Sequence, residues 1–213
     1  MDNIDNIKIN AQSSIRIEIK DKIIYFDPFK IEESTHDADI IFITHSHYDH
    51  FSEEDILKIE NEDTKLVIPQ DLQEKWKTLG LKEENILIVE PNKEYEIFGI
   101  HFSTIPAYNI LKPFHPKGNN WVGYIINEET SYYIAGDTDV TKENKEVKCD
   151  IAFIPIGGTY TMNWKDATKI IENNIKPKIA IPIHYKTVVG SDEDANNFIT
   201  KVKESGIDSY KLY

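Results

Sequence analysis

The chain has 213 residues, of which 40% are hydrophobic and 29% charged, as expected of a globular protein with one sizeable core or two small ones. Its 24 Lys and Arg against 37 Asp and Glu give a formal net charge of −13, which disfavours nucleic-acid binding because phosphate neutralisation dominates that affinity. No apolar run could span a bilayer and no secretory signal is visible. The single cysteine, Cys149, cannot form an internal disulfide, so we expect a cytoplasmic protein.

Short runs typical of β-strands dominate the first half. The stretch 15–19, IRIEI, alternates apolar and polar residues as a half-buried strand does, whereas 38–44 is a nearly continuous apolar run that suits a strand covered on both faces. A helix capped by Ser52 is predicted over 53–60, and a second helix over 71–79. Further strands are predicted at 23–27, 65–69, 85–90, 95–98, 101–107, 121–127 and 131–136.

In the second half, strands and helices alternate. Strand 150–156 precedes a helix near 165–174, strand 178–185 precedes a helix near 192–204, and 209–213 is a short last strand. This order indicates an α/β fold with buried sheets. It favours two mixed sheets packed face to face with helices outside, which is an αββα layering.

Three histidines and an aspartate follow a strand end within six residues, in the sequence THSHYDH. Residues two apart on an extended segment point the same way, so His45 and His47 can bind one metal ion, and Asp49 and His50 on the following turn can address a second. Imidazole and carboxylate are natural ligands of zinc and similar metals. A loop that is histidine-rich by chance and a structural zinc site are the alternatives, but the aspartate fits a structural site badly.

Two later strand ends also finish in residues that can bind metals. Asp137 lies in 134-IAGDTD-139, and His184 lies in 181-IPIHY-185. A lone histidine at such a place is more often a core residue than a ligand. Three strand ends of this kind in one chain favour a metal centre, because α/β proteins build sites at strand ends.

The motifs resemble those of the metallo-β-lactamase fold superfamily. Four segments occur in that family's order: 26-FDPF-29, 44-THSHYDH-50, 135-AGDT-138 and 182-PIHY-185. Within the superfamily the chain is most similar to a group of small metal-dependent hydrolases related to the ascorbate-6-phosphate lactonases, and it resembles N-acyl phosphatidylethanolamine phospholipase D more distantly. The resemblance covers nearly the whole chain. It implies one domain over residues 1–213, an αββα four-layer sandwich of two mixed β-sheets flanked by helices.

The same resemblance implies two divalent metal ions and their ligands. The first ion would be bound by His45 and His47, the second by Asp49, His50 and His184, and the two ions would be bridged by Asp137. Zinc is expected, with manganese, iron and nickel as alternatives. Asp27 would orient ligands through hydrogen bonds, although an ordinary Asp-Pro turn explains it equally well.

The third histidine of the first metal ion is missing from its usual place. Many relatives carry it immediately after the strand that corresponds to 101–108, where this chain has Asn109. The next histidine is His115, in a loop long enough to fold back. We predict that His115 binds the first ion and that Asn109 supports it or is a weak ligand. The alternative is a solvated His115 and a weak or empty first site.

Two neighbouring metal ions would share a water and lower its pKa, giving a metal-bound hydroxide that could cleave an ester, lactone or phosphodiester bond of a small molecule. Asp49 is the candidate catalytic residue, because it could accept a proton or orient the nucleophile while it remains a ligand. Lys117, Tyr160, Tyr185 and Lys186 flank the ligand-bearing segments and are candidate substrate contacts, although loop lysines and tyrosines are usually solvated or packed.

Other functions stay open. A non-catalytic metal-binding or sensory module would follow if Asn109 marks a degenerate first site. A flavodiiron-type redox enzyme is disfavoured, because such enzymes carry glutamate where His47 stands and need a flavin partner. β-Lactamase activity is disfavoured because several of those enzymes carry cysteine where Asp137 aligns. We expect no nucleic-acid partner and no membrane span, and a homo-oligomer stays open.

Overall fold

The computed structural model describes residues 4–213. Backbone contacts divide the chain into two compact units, of which the first ends at Val89 and also includes Tyr213, and the second runs from Glu90 to Leu212. Each unit contains one mixed β-sheet. No helix among the described residues is long and apolar enough to cross a bilayer. One domain over residues 1–213 stays a prediction.

The first unit contains a six-stranded sheet in which the strands lie in chain order: β1 (Ile7–Ile9), β2 (Ile15–Ile19), β3 (Lys22–Phe26), β4 (Ile40–Phe42), β5 (Lys65–Pro69) and β6 (Ile86–Val89). Strands β1 to β3 pair antiparallel, and β3 to β6 pair parallel. The alternating run in β2 buries its three isoleucines, as its pattern predicts. Strand β1 was not predicted, because its three residues are too short a run to show a period.

Helix α1 (Glu53–Ile59) packs against this sheet. It begins at Ser52, whose side chain accepts a hydrogen bond from the backbone N–H of Asp55, and three acidic residues in its first turn complement the helix dipole. Ile56 and Ile59 are fully buried in a core cluster with sheet residues such as Ile41 and Leu66. The capping signal in the sequence therefore predicted this helix correctly.

The predicted helix over 71–79 is wrong. The segment forms two separate 3₁₀ turns, Gln70–Leu72 and Lys75–Thr78. Neither turn has a capping side chain, whereas every α-helix of the described chain has one. A short segment without a cap cannot offset the cost of helix nucleation, even though Leu72 and Leu79 are spaced to share a helix face and are both buried.

The second unit contains a seven-stranded sheet: β7 (Glu94–Ile97), β8 (Ile100–Pro106), β9 (Val122–Ile126), β10 (Tyr132–Ile134), β11 (Ile151–Pro155), β12 (Ile179–Ile183) and β13 (Asp208–Ser209). Their order in the sheet is β13-β12-β11-β10-β9-β8-β7. The strands from β10 to β13 pair parallel, and those from β7 to β10 pair antiparallel. Strands β10 to β12 are buried throughout, as apolar runs covered on both faces should be.

Two helices pack against each other and against the parallel strands of this sheet. Helix α2 (Trp164–Ile170) begins at Asn163 and continues into a π-helical turn, Ile171–Ile175, so the prediction near 165–174 covers both parts. Helix α3 (Asp192–Glu204) begins at Ser191 and matches its prediction. Both N-caps are side chains of the types that stabilise helix starts.

Candidate metal centre

The registers of the first unit bring three connections to one edge of its sheet. Ile15 at the start of β2 pairs with Phe26 at the end of β3, and Phe26 pairs with Phe42 at the end of β4. The β1–β2 connection, the residue after β3 and the histidine-rich segment after β4 therefore meet at this edge. The backbone N–H of Asp27 donates to the carbonyl of Phe42, which locks the strand ends together.

Asp27 lies at the centre of a buried hydrogen-bond network in this unit. It accepts from the backbone N–H of Thr44 at 2.8 Å and from the hydroxyl of Thr44 at 2.7 Å, and its Oδ2 lies 2.7 Å from Nδ1 of His50. Burial raises the pKa of Asp27, an effect that neighbouring His50 opposes. Asp27 also has a left-handed backbone with φ 46°, so the fold holds it in a strained conformation.

This hydrogen-bond network determines which ring nitrogen of His45 and of His50 points away from Asp27 and Thr44. The Nδ1–H of His50 donates to Asp27, which leaves its Nε2 with the lone pair. The hydroxyl of Thr44 uses its proton on Asp27, so its oxygen accepts from Nδ1 of His45 at 3.0 Å. Nε2 of His45 then lies 3.0 Å from Nδ1 of His47, and His45 and His50 are buried whereas His47 is half-buried.

Asp49 completes the set of predicted ligands in the first unit. Its Oδ2 lies 3.6 Å from Nε2 of His50 and accepts a hydrogen bond from Nε2 of Gln12 at 3.1 Å. No sequence pattern pointed to Gln12, which lies 37 residues before Asp49 in a short polar connection.

The second unit brings its own predicted ligands to one edge of its sheet. Strands β8, β10 and β12 run in the same direction, because β8 and β10 are both antiparallel to β9, and β10 and β12 are both parallel to β11. The segments that carry Asn109, Asp137 and His184 follow the ends of these three strands. These three segments therefore lie at the same edge of the sheet.

Asp137 lies between two histidines of the second unit. Its Oδ2 is 3.0 Å from Nε2 of His184 and 3.3 Å from Nε2 of His115, and all three side chains are at most 3% exposed. The loop of His115 folds back, as its length allowed. His115 is therefore a buried neighbour of Asp137, not a solvated loop residue.

Asn109 holds His115 in this position. Its Oδ1 lies 2.9 Å from Nδ1 of His115, and its amide Nδ2 donates to the carbonyl of Tyr160 at 2.8 Å. The backbone N–H of Asn109 also donates to the carbonyl of His115. Because the amide nitrogen is committed to a carbonyl, the amide oxygen must accept from Nδ1–H of His115, which leaves the lone pair on Nε2 facing Asp137.

His184 sits in a tight, strained turn after β12. Its backbone is left-handed, with φ 55°. A Cβ on Gly157 would overlap the carbonyl oxygen of His184 and lie 2.6 Å from a methyl group of Val189, so only glycine fits there. Gly157 thus allows the backbone to approach this histidine closely.

The candidate substrate contacts lie in different surroundings. Lys117 is half-exposed and forms an ion pair with Glu143 at 2.7 Å. Burial would raise the pKa of Glu143, but hydrogen bonds from Lys117 and from Tyr108 lower it to about 2. Tyr160 is half-buried, with its ring against Phe114. Tyr185 is fully buried and Lys186 is exposed, and substrate contact by any of the four stays a prediction.

An ion pair that was not predicted ties down the loop of His115. Nζ of Lys112 donates to Oδ1 of Asp139 at 2.6 Å and to the carbonyls of Gly158 and Thr161. Oδ2 of Asp139 accepts from the backbone N–H of Ile110 at 2.8 Å. The loop after β8 is thereby fastened to the segments after β10 and β11.

Comparison with known proteins identifies the family. The model of the β-lactamase superfamily domain matches residues 6–184. A metal-dependent hydrolase of Nanoarchaeum equitans is 32% identical, over 97% of this chain and 95% of its own. Another, of Saccharolobus solfataricus, is 34% identical over 84% of this chain and 79% of its own.

Solved structures agree. A structure from Parabacteroides distasonis, described as a metal-dependent hydrolase, has a TM-score of 0.80 and 28% identity and covers 96% of this chain and 91% of its own. A member of the metallo-β-lactamase superfamily from Thermotoga maritima shares the fold with a TM-score of 0.60 and 20% identity, over 91% of this chain and 84% of its own. The predicted fold class is therefore confirmed, and the chain belongs to the β-lactamase superfamily domain family, among its metal-dependent hydrolases.

Proposed function

We propose that this protein is a binuclear metal-dependent hydrolase that cleaves an ester, lactone or phosphodiester bond of a small molecule. The observation that carries the proposal is the fixed orientation of two buried histidines, one in each unit. His50 and His115 each have Nδ1 held by a side-chain oxygen, of Asp27 and of Asn109 respectively. Metal-binding histidines are commonly oriented in this way, with the other nitrogen kept for the ion.

The ligand set that we propose follows the family pattern, with His115 in place of the missing histidine. The first ion is assigned to His45, His47 and His115, the second to Asp49, His50 and His184, with Asp137 bridging them. Distances within each unit suit this assignment. The separation of 3.0 Å between the facing nitrogens of His45 and His47 is close to the roughly 3.3 Å expected between two nitrogen ligands of one tetrahedral zinc ion.

Asp137 has the position that a bridging ligand needs in its own unit. The histidines assigned to different ions, His115 and His184, both approach its Oδ2, at 3.3 and 3.0 Å. A carboxylate can bind two ions at once, whereas an imidazole cannot do so through one nitrogen. Histidine and carboxylate donors suit zinc, and they also accept manganese, iron or nickel.

When bound, a pair of divalent ions supplies a water of lowered pKa as the nucleophile and polarises the oxygen of the bond under attack. The chain supplies orientation and proton transfer. Asp49 is the proposed catalytic residue, because it can accept a proton or orient the nucleophile. Asp27 and Asn109 hold histidines in the required tautomer. We further propose a small-molecule substrate and a cytoplasmic location.

Metal stoichiometry tests the proposal directly. Untagged protein, purified without chelators, should contain about two metal ions per chain by elemental mass spectrometry. The variant His115→Ala should contain about one. The matched control is His101→Ala, since His101 lies exposed on β8 and forms its ion pairs with Glu96 and Glu128.

Each outcome decides between two functions. Two ions in the wild type and in His101→Ala, with loss of one in His115→Ala, would support the binuclear hydrolase and justify assays on lactones and phosphodiesters. One ion or fewer in the wild type, unchanged by His115→Ala, would favour the metal-binding or sensory module with a degenerate first site.

A further inference from the structure

The connection between β1 and β2 is polar in sequence but buried in the structure. Gln12, Ser13 and Ser14 are at most 1% exposed. The backbone N–H of Asn10 donates to the carbonyl of Ser14, and that of Ser14 donates to the carbonyl of Ala11, so the connection is a tight turn. Gln12 takes the left-handed conformation in this turn, with φ 55°.

The amide nitrogen of Gln12, and not its amide oxygen, faces Asp49. Its Nε2 donates to Oδ2 of Asp49 at 3.1 Å. An ionised carboxylate can only accept hydrogen bonds, so the amide nitrogen must be the end that faces it. The same Oδ2 lies 3.6 Å from Nε2 of His50, the nitrogen that Asp27 leaves for a metal ion. Gln12 therefore contacts the carboxylate oxygen that faces the ligand nitrogen of His50.

The other end of the amide is an unused acceptor. Oε1 of Gln12 is buried and receives no hydrogen bond from residues 4–213. A buried amide with one arm unsatisfied and a strained backbone destabilises the folded chain on two counts. Packing alone does not explain such a residue, because an apolar side chain would avoid the buried unsatisfied amide oxygen and a glycine would avoid the backbone strain. The contact with Asp49 is what distinguishes glutamine from those residues.

We propose that Gln12 is a positioning residue of the metal centre: its amide N–H holds Asp49 so that Oδ2 faces the same ion as His50. This proposal rests on the proposed function, because it requires Asp49 to be a ligand.

Cobalt binding to the purified full chain tests the positioning role. Gln12→Met keeps the length of the side chain and the strained backbone but removes the donor, and Gln12→Glu keeps the shape but replaces the donor by an acceptor. The matched control is Ser13→Ala, which changes a buried residue of the same turn whose hydroxyl has no hydrogen-bond partner among residues 4–213. The measurements are the visible spectrum of the Co²⁺-loaded protein, Co²⁺ affinity by chelator competition, and the melting temperature of the metal-free protein.

We expect both Gln12 variants to shift the visible bands and to weaken Co²⁺ binding roughly 10- to 100-fold, as loss of a hydrogen bond to a ligand commonly does. Ser13→Ala should match the wild type, and the metal-free melting temperature of Gln12→Met should not fall. A wild-type spectrum and affinity in both Gln12 variants would overturn the proposal. A wild type that does not bind Co²⁺ at all would instead overturn the proposed function.

Discussion

Asn109 stands where the resemblance to the metallo-β-lactamase superfamily predicts a histidine, and its contacts in the structure suggest what it does instead. An asparagine has both a donor and an acceptor, and here the donor binds the carbonyl of Tyr160 while the acceptor binds His115. A histidine in its place would bind a metal ion itself but would not hold another histidine in the same way. Under the proposed ligand set, the ligand lies six residues further along the loop, at His115, and Asn109 supports it.

Replacing Asn109 by Leu should therefore damage both stability and metal binding. The change leaves the buried Nδ1–H of His115 and the carbonyl of Tyr160 without these partners, which should cost about 1–3 kcal/mol in the free energy of unfolding. Metal affinity should fall roughly 10- to 100-fold. Urea denaturation of the metal-free protein and chelator competition would measure the two effects separately.

Asn109→Asp is the informative companion, because it keeps the acceptor for His115 and loses only the donor to Tyr160. Its metal affinity should stay closer to that of the wild type than the affinity of Asn109→Leu does. If both variants bind metal as tightly as the wild type, Asn109 does not orient a ligand.

Part of the candidate site could be recognised in the sequence, because residues able to bind metals stand there at recognisable spacings. His45, His47, Asp49 and His50 are close in sequence, and Asp137 and His184 follow apolar runs. Gln12 was not predictable, because a single glutamine carries no pattern and its partner lies 37 residues away. The same applies to Lys112, whose ion pair with Asp139 depends on how a loop folds back.

At the scale of elements, the residues of the candidate site lie in the segments that follow the strands and not within the strands themselves. Most strands were predicted within two residues of their bounds, because their apolar runs are long enough to show a pattern. The error over 71–79 arose because the segment, followed by Gly80 as a helix stop, indicated a helix that no N-terminal cap supports. Apolar spacing thus predicts helices reliably only where a capping residue accompanies it, as at Ser52 and Ser191.

The close approach of Gly157, after β11, to the turn of His184, after β12, can be tested by substitution. In Gly157→Ala the new methyl group would overlap the carbonyl of His184 and the side chain of Val189, so the turn must shift. We expect a loss of about 1–3 kcal/mol in the free energy of unfolding and fewer than two bound metal ions. Thermal unfolding and elemental mass spectrometry would measure this.

Gly118→Ala is the matched control, because no atom lies within 4 Å of the added Cβ and its φ is not left-handed. It should leave metal content unchanged. It should also raise the free energy of unfolding by about 0.4–1 kcal/mol, because alanine lowers the conformational entropy of the unfolded chain. Full metal content in Gly157→Ala would mean that the turn around His184 adapts without harm.

At the scale of the whole molecule, the net charge of −13 should affect anionic and neutral candidate substrates differently. The field remains strongly negative with two divalent ions bound, so it should slow the approach of an anion and leave a neutral molecule unaffected. Raising the ionic strength from about 0.01 M to about 0.15 M shortens the Debye length from about 30 Å to about 8 Å. For an anionic phosphodiester, kcat/KM should therefore rise several-fold.

A neutral lactone or ester is the control substrate, and its kcat/KM should change little over the same range of salt. The measurement is initial rates at several sodium chloride concentrations. A fall in kcat/KM for the phosphodiester would contradict the expectation and would indicate a local cluster of lysines that attracts the anion despite the overall charge.

The left-handed backbone of His184 has a consequence for the evolution of this protein in the laboratory. Most residues lose about 1–2 kcal/mol in that conformation, whereas glycine and asparagine tolerate it, so either replacement at position 184 would relieve the strain. A library screened only for survival after heating should therefore enrich these replacements, while a library screened for turnover should discard them. The two selections would favour different residues at position 184. The residue found there would therefore show whether a variant was selected for heat stability or for turnover.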